Sequence, residues 1–395
     1  MVFHVRGRIV DLKMSDVSMP VMTREPPSAP AGEPERPCSS YDVVIATRNR
    51  PEALALSIPL ILAQSRSPAK LIVIDSSDDH APVAAAVEAA VAGYDGLPVI
   101  VEHCRSDPSG RGGRGLPFQR NRGLAHVTGD VVLFPDDDSM LFPEAAARIM
   151  EIYDSDTGHR IAAVCAAEAM APPPGMTISG DYQMTPAHQR EARTRSLRNR
   201  LEKRFTQLKP TIYLGQLFMA RGTMPDWLEA QNCVPVEYMT GFRMSFRTGA
   251  IRGEGFDETL RDYALDEDID ASFSAAREGL VVGARNAQIY HHRFPGGRGD
   301  ARKLGAIAIL NRVYVVTKHI HAGGLSPQET RLARSRLRAF VRLKLLTAFA
   351  GLRGPHGRER LAGARAAARQ VPALMAAPPE QLVQSYRQAL SEIGL

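Results

Sequence analysis

The chain has 395 residues, 49 Lys+Arg against 43 Asp+Glu, and 44% apolar residues with 6% aromatics. This suits one large or two ordinary globular domains, and 32 Gly with 28 Pro fall short of collagenous or low-complexity composition, so wholesale disorder is excluded. Four cysteines, Cys38, Cys104, Cys165 and Cys233, lie more than 60 residues apart with no C-x-x-C spacing, which suggests neither a disulfide framework nor a thiolate zinc site. No apolar run approaches the roughly 18 to 20 residues of a spanning helix, and the start lacks the long apolar stretch of a signal peptide; a cytoplasmic body in a reducing compartment is expected. The net charge of +6 is uneven. Residues 301–370 carry 15 Lys+Arg against 2 Asp+Glu, leaving 34 against 41 elsewhere, so an acidic body bears a basic appendage and nucleic acid is not an expected partner.

Residues 1–40 are rich in Pro, Ser and charge without a hydrophobic period, and read as a disordered leader in which Met14, Met19 and Met22 leave a later start open. Order begins at Asp42–Ala46, a buried strand running into Thr47-Arg48-Asn49-Arg50-Pro51. A helix with Glu52 in its first turn follows, which Pro59 must kink or end. Strands over 70–74 and from Pro98 to Cys104 flank a helix that stops near Gly93, and FQRNRGLAHV forms another helix after the glycine-rich 109–115 run. Gly129–Phe134 is a fourth strand, ending at Pro135-Asp136-Asp137-Asp138 before a helix that begins near Phe142. Continuous apolar strands alternating with helices imply a mostly parallel sheet covered on both faces, with ligands at the carboxyl ends of the strands. Further along come a strand from Ile161, a break at 172–175, a basic helical stretch over 189–209, the segment Gly241–Arg247, a helix from Glu267 to Gly279 and a late strand ending in His291-His292. From about residue 300 the pattern is helical and basic. Three regions result: the leader 1–40, a catalytic domain over 41–300 and a helical extension over 301–395.

Asp136, Asp137 and Asp138 at a strand end repel one another unless a cation neutralises them, and alternate carboxylates suit one divalent ion with sites left for a diphosphate. One Asp capping the next helix is the plainer reading. Glu267, Asp268 and Asp270 fall at a helix start, where the dipole favours carboxylates; one of them could equally serve as a general base. Arg111 or Arg114 of the glycine-rich run could touch a phosphate, although the run lacks a P-loop pattern.

The succession VVIATRNRPEAL, VIDSSDD, QRNRGL, GDVVLFPDDDSM, TGFRMSFR, GFDETLRDYALDEDIDASFSAAREG and IYHH resembles the motif order of family 2 glycosyltransferases of the GT-A fold, over residues 41–295. That resemblance implies an α/β fold of the nucleotide-diphosphosugar transferase type. It assigns the donor nucleotide to Thr47, Arg48, Asn49 and Asp75, with Arg120 and Asp136 in the same region. It gives the metal, Mn²⁺ or Mg²⁺, to Asp136 and Asp138, completed by a histidine, with His291 favoured over His292, and it makes Asp268, beside Glu267, the catalytic base. Arg48 and Ser76 depart from the family's usual residues. The basic 190–209 stretch and Gly241–Arg247, with Gly241 and Met244, are expected on the acceptor side.

The implied activity is metal-dependent, inverting transfer of a sugar from a nucleotide diphosphosugar to a saccharide or lipid-linked acceptor hydroxyl, in polysaccharide or glycolipid assembly. A sugar-phosphate nucleotidyltransferase is an alternative, but TRNRPEA lacks the glycine-rich loop such enzymes carry. A membrane or nucleic-acid adaptor would explain the basic tail but not two acidic clusters. In that tail Leu337, Phe340, Val341, Leu345 and Phe349 recur at helical spacing among arginines, a pattern that either packs on the body or docks on the inner face of an anionic membrane.

Overall fold

The computed structural model describes residues 39–94, 97–104, 115–176, 215–218, 224–261, 264–294 and 300–395. The leader up to Cys38, the run carrying Arg111 and Arg114, and the basic stretch 189–209 lie outside the described residues. Residues 38–395 form one compact unit.

Strands β1 (Tyr41–Thr47), β2 (Lys70–Asp75), β3 (Val99–His103) and β4 (Val131–Phe134) alternate with helices α1 (Pro51–Leu62), α2 (Ala81–Val91) and α3 (Leu116–His126). Then follow β5 (Ser139–Leu141), α4 (Ala145–Ser155), β6 (Ile161–Ala169), α5 (Gly215–Phe218), α6 (Asp226–Ala230), β7 (Cys233–Pro235) and β8 (Met244–Arg247). The body closes with α7 (Thr248–Arg252), α8 (Glu267–Glu278) and β9 (Leu280–His291). One sheet has the order β3-β2-β1-β4-β8-β6-β9-β5, with β7 beside β9. Strands β3, β2, β1 and β4 are mutually parallel, as are β6 and β9, while β8, β5 and β7 join antiparallel. Val43, Val44 and Ile45 are buried in succession, as a strand covered on both faces requires.

Register aligns the polar strand ends. Thr47 pairs with Asp75, Asp75 with His103, and Ala46 bridges to Asp136. Three residues were too few for β5 to be read by periodicity; its pairing with β9 delays the next helix from the expected Phe142 to Ala145. Helix α1 runs through Pro59 to Leu62, since a proline in the last turn costs only one intrahelical bond.

The basic region folds into α9 (Ala301–His321), α10 (Pro327–Ala350), α11 (Gly357–Ala376) and α12 (Leu382–Glu392). Asp300 caps α9 and a Ser326/Glu329 capping box starts α10. Helices α9 and α11 meet at glycines: a Cβ on Gly363 would lie 1.9 Å from the Arg302 carbonyl oxygen and one on Gly305 2.2 Å from that of Arg360. Val313, Tyr314, Leu337, Phe340, Leu374 and Tyr386 share one core with Leu260, Ile269 and Phe273 of the α/β body. Among the described residues no helix is long and apolar enough to cross a membrane.

Candidate active site

At the end of β4 the three aspartates separate by task. Asp137 turns inward, accepting from the Thr47 hydroxyl at 2.8 Å and Arg50 Nη1 at 2.7 Å. Burial lifts its carboxyl to about 7 against the pull of Arg50. Asp136 is the most open, its side chain 30% exposed, and takes Arg120 Nη2 at 2.9 Å. Asp138 accepts the Phe294 amide at 2.9 Å and faces His291 Nε2 at 3.2 Å, with Arg50 Nη2 at 3.4 Å. Burial would raise its carboxyl, but His291 and Arg50 outweigh that and hold it below the usual carboxylate range. One donor atom each from Asp136, Asp138 and His291 lies within 4.8 Å of the others. His291 stacks on Phe242, ring centroids 4.5 Å apart, which fixes the imidazole. The next residue, His292, instead donates its backbone amide to the Asp138 carbonyl. Two carboxylates and an imidazole fit Mn²⁺ well, and Mg²⁺ less well because of the nitrogen donor.

The second cluster opens α8. Glu267 is buried and pairs with Arg120 Nη1, while its Oε2 has no hydrogen-bond partner among the described residues. Burial, then the Asp268 charge, push Glu267 up to about 8 against Arg120. Asp268 is the more open of the two; its Oδ2 accepts the Gly241 amide at 3.1 Å. Burial and the negative Asp266 lift Asp268 to about 6. Arg120 joins the clusters: fully buried, it reaches Glu267, Asp136 and the Gly241 carbonyl, the last at 3.0 Å. A Cβ on Gly241 would sit 3.4 Å from both Arg120 and Glu267, so that position is tight.

The C-terminal helices grip the chain just before these acids. Asp266, in the left-handed region at φ 71°, is held by Arg312 through Nε at 3.0 Å and Nη2 at 2.9 Å. Asn311 donates to the Leu265 carbonyl at 2.7 Å and in turn accepts from the Tyr386 hydroxyl. One turn along α8, buried Asp270 takes Lys318 at 2.8 Å and His319 at 2.9 Å.

The remaining expected residues divide. Thr47 is buried behind Asp137, and Asp75 is fully buried, engaged by Ser77 and His80. Arg48 and Asn49 lie outward, both bonded to Asp78; Asn49 has φ 54°. Met244, expected on the acceptor side, is corrected: its side chain is 2% exposed in the core of β8, the ordinary fate of an apolar strand residue, so it can line no acceptor path. Arg120 is likewise placed behind the carboxylates rather than open to a ligand. Arg50 and Phe242 were not singled out from the sequence, and Asp137 was named with its neighbours but given no role of its own. Only the position of Arg50 in the loop after β1 and the adjacency of Asp137 to its neighbours hinted at them.

Residues 42–166 match the sequence model of Glycosyl transferase family 2. No curated protein matches the chain. Among solved structures, mannosyltransferase PcManGT from Pyrobaculum calidifontis in complex with GDP-Man and Mn²⁺ is similar at 14% identity and a TM-score of 0.48, over 90% of this chain and 86% of that one. S. aureus TarS 1-349 is similar at 14% identity and a TM-score of 0.45, over 89% and 90%. GalNAc-T7 with UDP, GalNAc and Mn²⁺ gives 14% and 0.44 over 78% of this chain, which spans 57% of that protein. The matched segment from Asp42 to Ala166 supplies β1 to β5, most of β6 and the aspartates after β4, and it is similar over that length to glycosyl transferase family 2.

Proposed function

We propose that the chain is a metal-dependent, inverting glycosyltransferase acting on a nucleotide diphosphosugar. The observation that carries this reading is a metal-type donor set joined through buried Arg120 to Glu267 and the Gly241 turn, whose amide donates to the half-open Asp268 carboxylate of raised pKa. Asp136, Asp138 and His291 would hold Mn²⁺ or Mg²⁺, and when bound the cation supplies positive charge beside the leaving diphosphate. Thr47, Asp75 and Asp136 share the strand ends, so the donor lies across the loops that follow β1, β2 and β4, with Arg48 and Asn49 at its outer side.

Asp268 takes the proton of the acceptor hydroxyl as that oxygen bonds to the anomeric carbon. The bond from that carbon to the diphosphate oxygen breaks on the opposite side, and the configuration inverts. A carboxylate titrating near 6 is ionised at neutral pH yet basic enough to accept that proton. Arg120, paired with Glu267, donates to the Gly241 carbonyl while the Gly241 amide donates to Asp268, and this chain orients the base.

The acceptor is a saccharide or a lipid-linked saccharide, and the enzyme acts peripherally on an anionic membrane surface. This finer reading rests on the excess of 13 positive charges over 301–370 and on Leu346 and Phe349 of α10, 62% and 58% exposed. The test of the central reading is a panel of UDP-, GDP- and dTDP-sugars with Mn²⁺, following nucleoside diphosphate release and the anomeric configuration of the product. Release with inversion is expected. Pyrophosphate exchange with nucleoside triphosphates would favour a nucleotidyltransferase, and a retained configuration would remove Asp268 as base.

A further inference from the structure

We propose that Asp75, His80 and His103 form a second metal site, of the zinc class, separate from the Asp136–Asp138–His291 set. The three residues come from three elements that the fold holds in place. Asp75 ends β2 and is the direct register partner of His103, which ends β3, and His80 immediately precedes α2. One donor atom of each lies within 4.8 Å of the others.

The geometry around Asp75 is built for more than one imidazole. Its Oδ1 is fixed by the Ser77 amide at 2.8 Å and by the Ser77 hydroxyl. Its Oδ2 is thereby directed at His80 Nδ1, 2.6 Å away, and His103 Nδ1, 3.4 Å away. An outer hydrogen bond that orients a ligating carboxylate in this way is a recurring feature of metal centres. The two rings lie with centroids 4.5 Å apart and present the same nitrogen to the same oxygen. A tetrahedral ion with bonds of about 2.0–2.1 Å sets its donors about 3.3 Å apart. The Asp75–His103 pair already has that spacing. The Asp75–His80 pair must open by about 0.7 Å, which His80 can do, because its side chain is 32% exposed on a loop.

Charge and donor chemistry point the same way. The Asp75 carboxylate is fully buried, and among the described residues its ionic partners are these two imidazoles, so a bound dication would offset its charge. Two nitrogens and one oxygen suit Zn²⁺ or Co²⁺, whereas the two-carboxylate set after β4 suits Mn²⁺. An ion held here would tie β2, α2 and β3 together at their site-facing ends. The proposal goes beyond the glycosyl-transfer reading and does not depend on it.

The test uses the full chain freed of metal by a chelator and titrated calorimetrically with ZnCl₂, with no donor present. Asp138→Ala serves as the background, so that zinc entering the other set does not obscure the result. One zinc equivalent is expected there, weakened by roughly 100-fold or more when His80→Asn or His103→Asn is added. Zinc should also raise the thermal midpoint of the Asp138→Ala protein and leave that of the double variants unmoved. Mn²⁺ titration of His80→Asn and His103→Asn in the otherwise native chain should match the native protein, which establishes that they fold and that the sites are separate. Absence of zinc binding in Asp138→Ala, or zinc binding that survives both histidine changes, overturns the proposal.

Discussion

The two acidic clusters on this sheet edge use the same carboxylates for opposite ends. After β4, Asp138 is surrounded by His291, Arg50 and a backbone amide, and its charge is held well into the acid range. At the start of α8, buried Glu267 lies beside the half-open Asp268, Arg120 links Glu267 to the first cluster, and burial pushes both carboxyls upward, with the negative Asp266 adding to Asp268. The surroundings of Asp138 keep its carboxylate ionised for a cation, whereas those of Asp268 leave a carboxylate able to accept a proton near neutrality. Position in the sequence does not separate them. Their partners do.

The sharpest way to break that comparison is Asp268→Asn, which keeps size and polarity but cannot take a proton. Turnover is expected to fall by roughly 10²-fold or more, with donor affinity near normal by calorimetry. In the native enzyme, kcat should fall as pH drops through about 6, since protonation at the raised pKa of Asp268 removes the base. A flat profile between pH 5 and 7, taken as roughly a pKa unit either side of that value, would remove Asp268 from the role. Asp138→Ala tests the other cluster: Mn²⁺-dependent donor binding should weaken by at least about 10-fold, while the fold, read by circular dichroism, persists. Donor affinity that no longer responds to Asp138 would move the cation elsewhere.

Arg312→Met reaches the second cluster from outside. It removes the fork on Asp266 and a positive charge that the Asp268 side of the site feels, so Asp268 should titrate higher still. The acid limb of the kcat profile is expected to move to higher pH and turnover at neutrality to drop by roughly 10-fold, with Arg312→Lys intermediate because a point charge remains where the fork is lost. A merely structural role would lower the melting temperature and leave the limb where it was.

The parallel half of the fold was legible because each strand is a continuous apolar run that stops at a polar loop, as in Val43–Ile45 before Thr47 and Val131–Phe134 before Asp136. Where the site residues sit along the chain was readable too; what each touches was not. Arg120 meets Glu267 across 147 residues of sequence and Arg312 meets Asp266 across 46, and no local spacing encodes such contacts. Met244 shows the converse. Read by position it joined the acceptor side, whereas its place in β8 between β4 and β6 put it in the core. The sequence left the apolar stripe of the helical extension either packed on the body or docked on a membrane, and its inner faces complete the core under α8.

That shared core changes how membrane attachment has to be tested. The amphipathic stripe expected over α10 is one pattern in sequence but two surfaces in the fold. Leu337, Phe340 and Val341 are buried against α9 and α11, and Arg312 lies over the Phe340 ring at 4.8 Å, so cutting the chain near residue 325 would strip the core beneath α8 as well as any lipid-facing surface. In the last turns Leu345 and Ala348 still pack on that core, while Leu346 and Phe349 are exposed among a strong excess of basic residues. Two apolar side chains entering a headgroup layer contribute about 1.5–3 kcal/mol each at full burial, and nearby basic residues about 1 kcal/mol each. The double change Leu346→Ser, Phe349→Ser leaves the core untouched. It is expected to reduce sedimentation with phosphatidylserine-containing liposomes by several-fold, with native melting temperature and native release of nucleoside diphosphate from a soluble donor. Binding of the native chain should weaken as salt rises, because the screening length falls from about 10 Å at 0.1 M to 3 Å at 1 M. Equal sedimentation of native and doubly changed chains, or none by either at low salt, would leave α10 as a packed helix whose arginines serve only solubility.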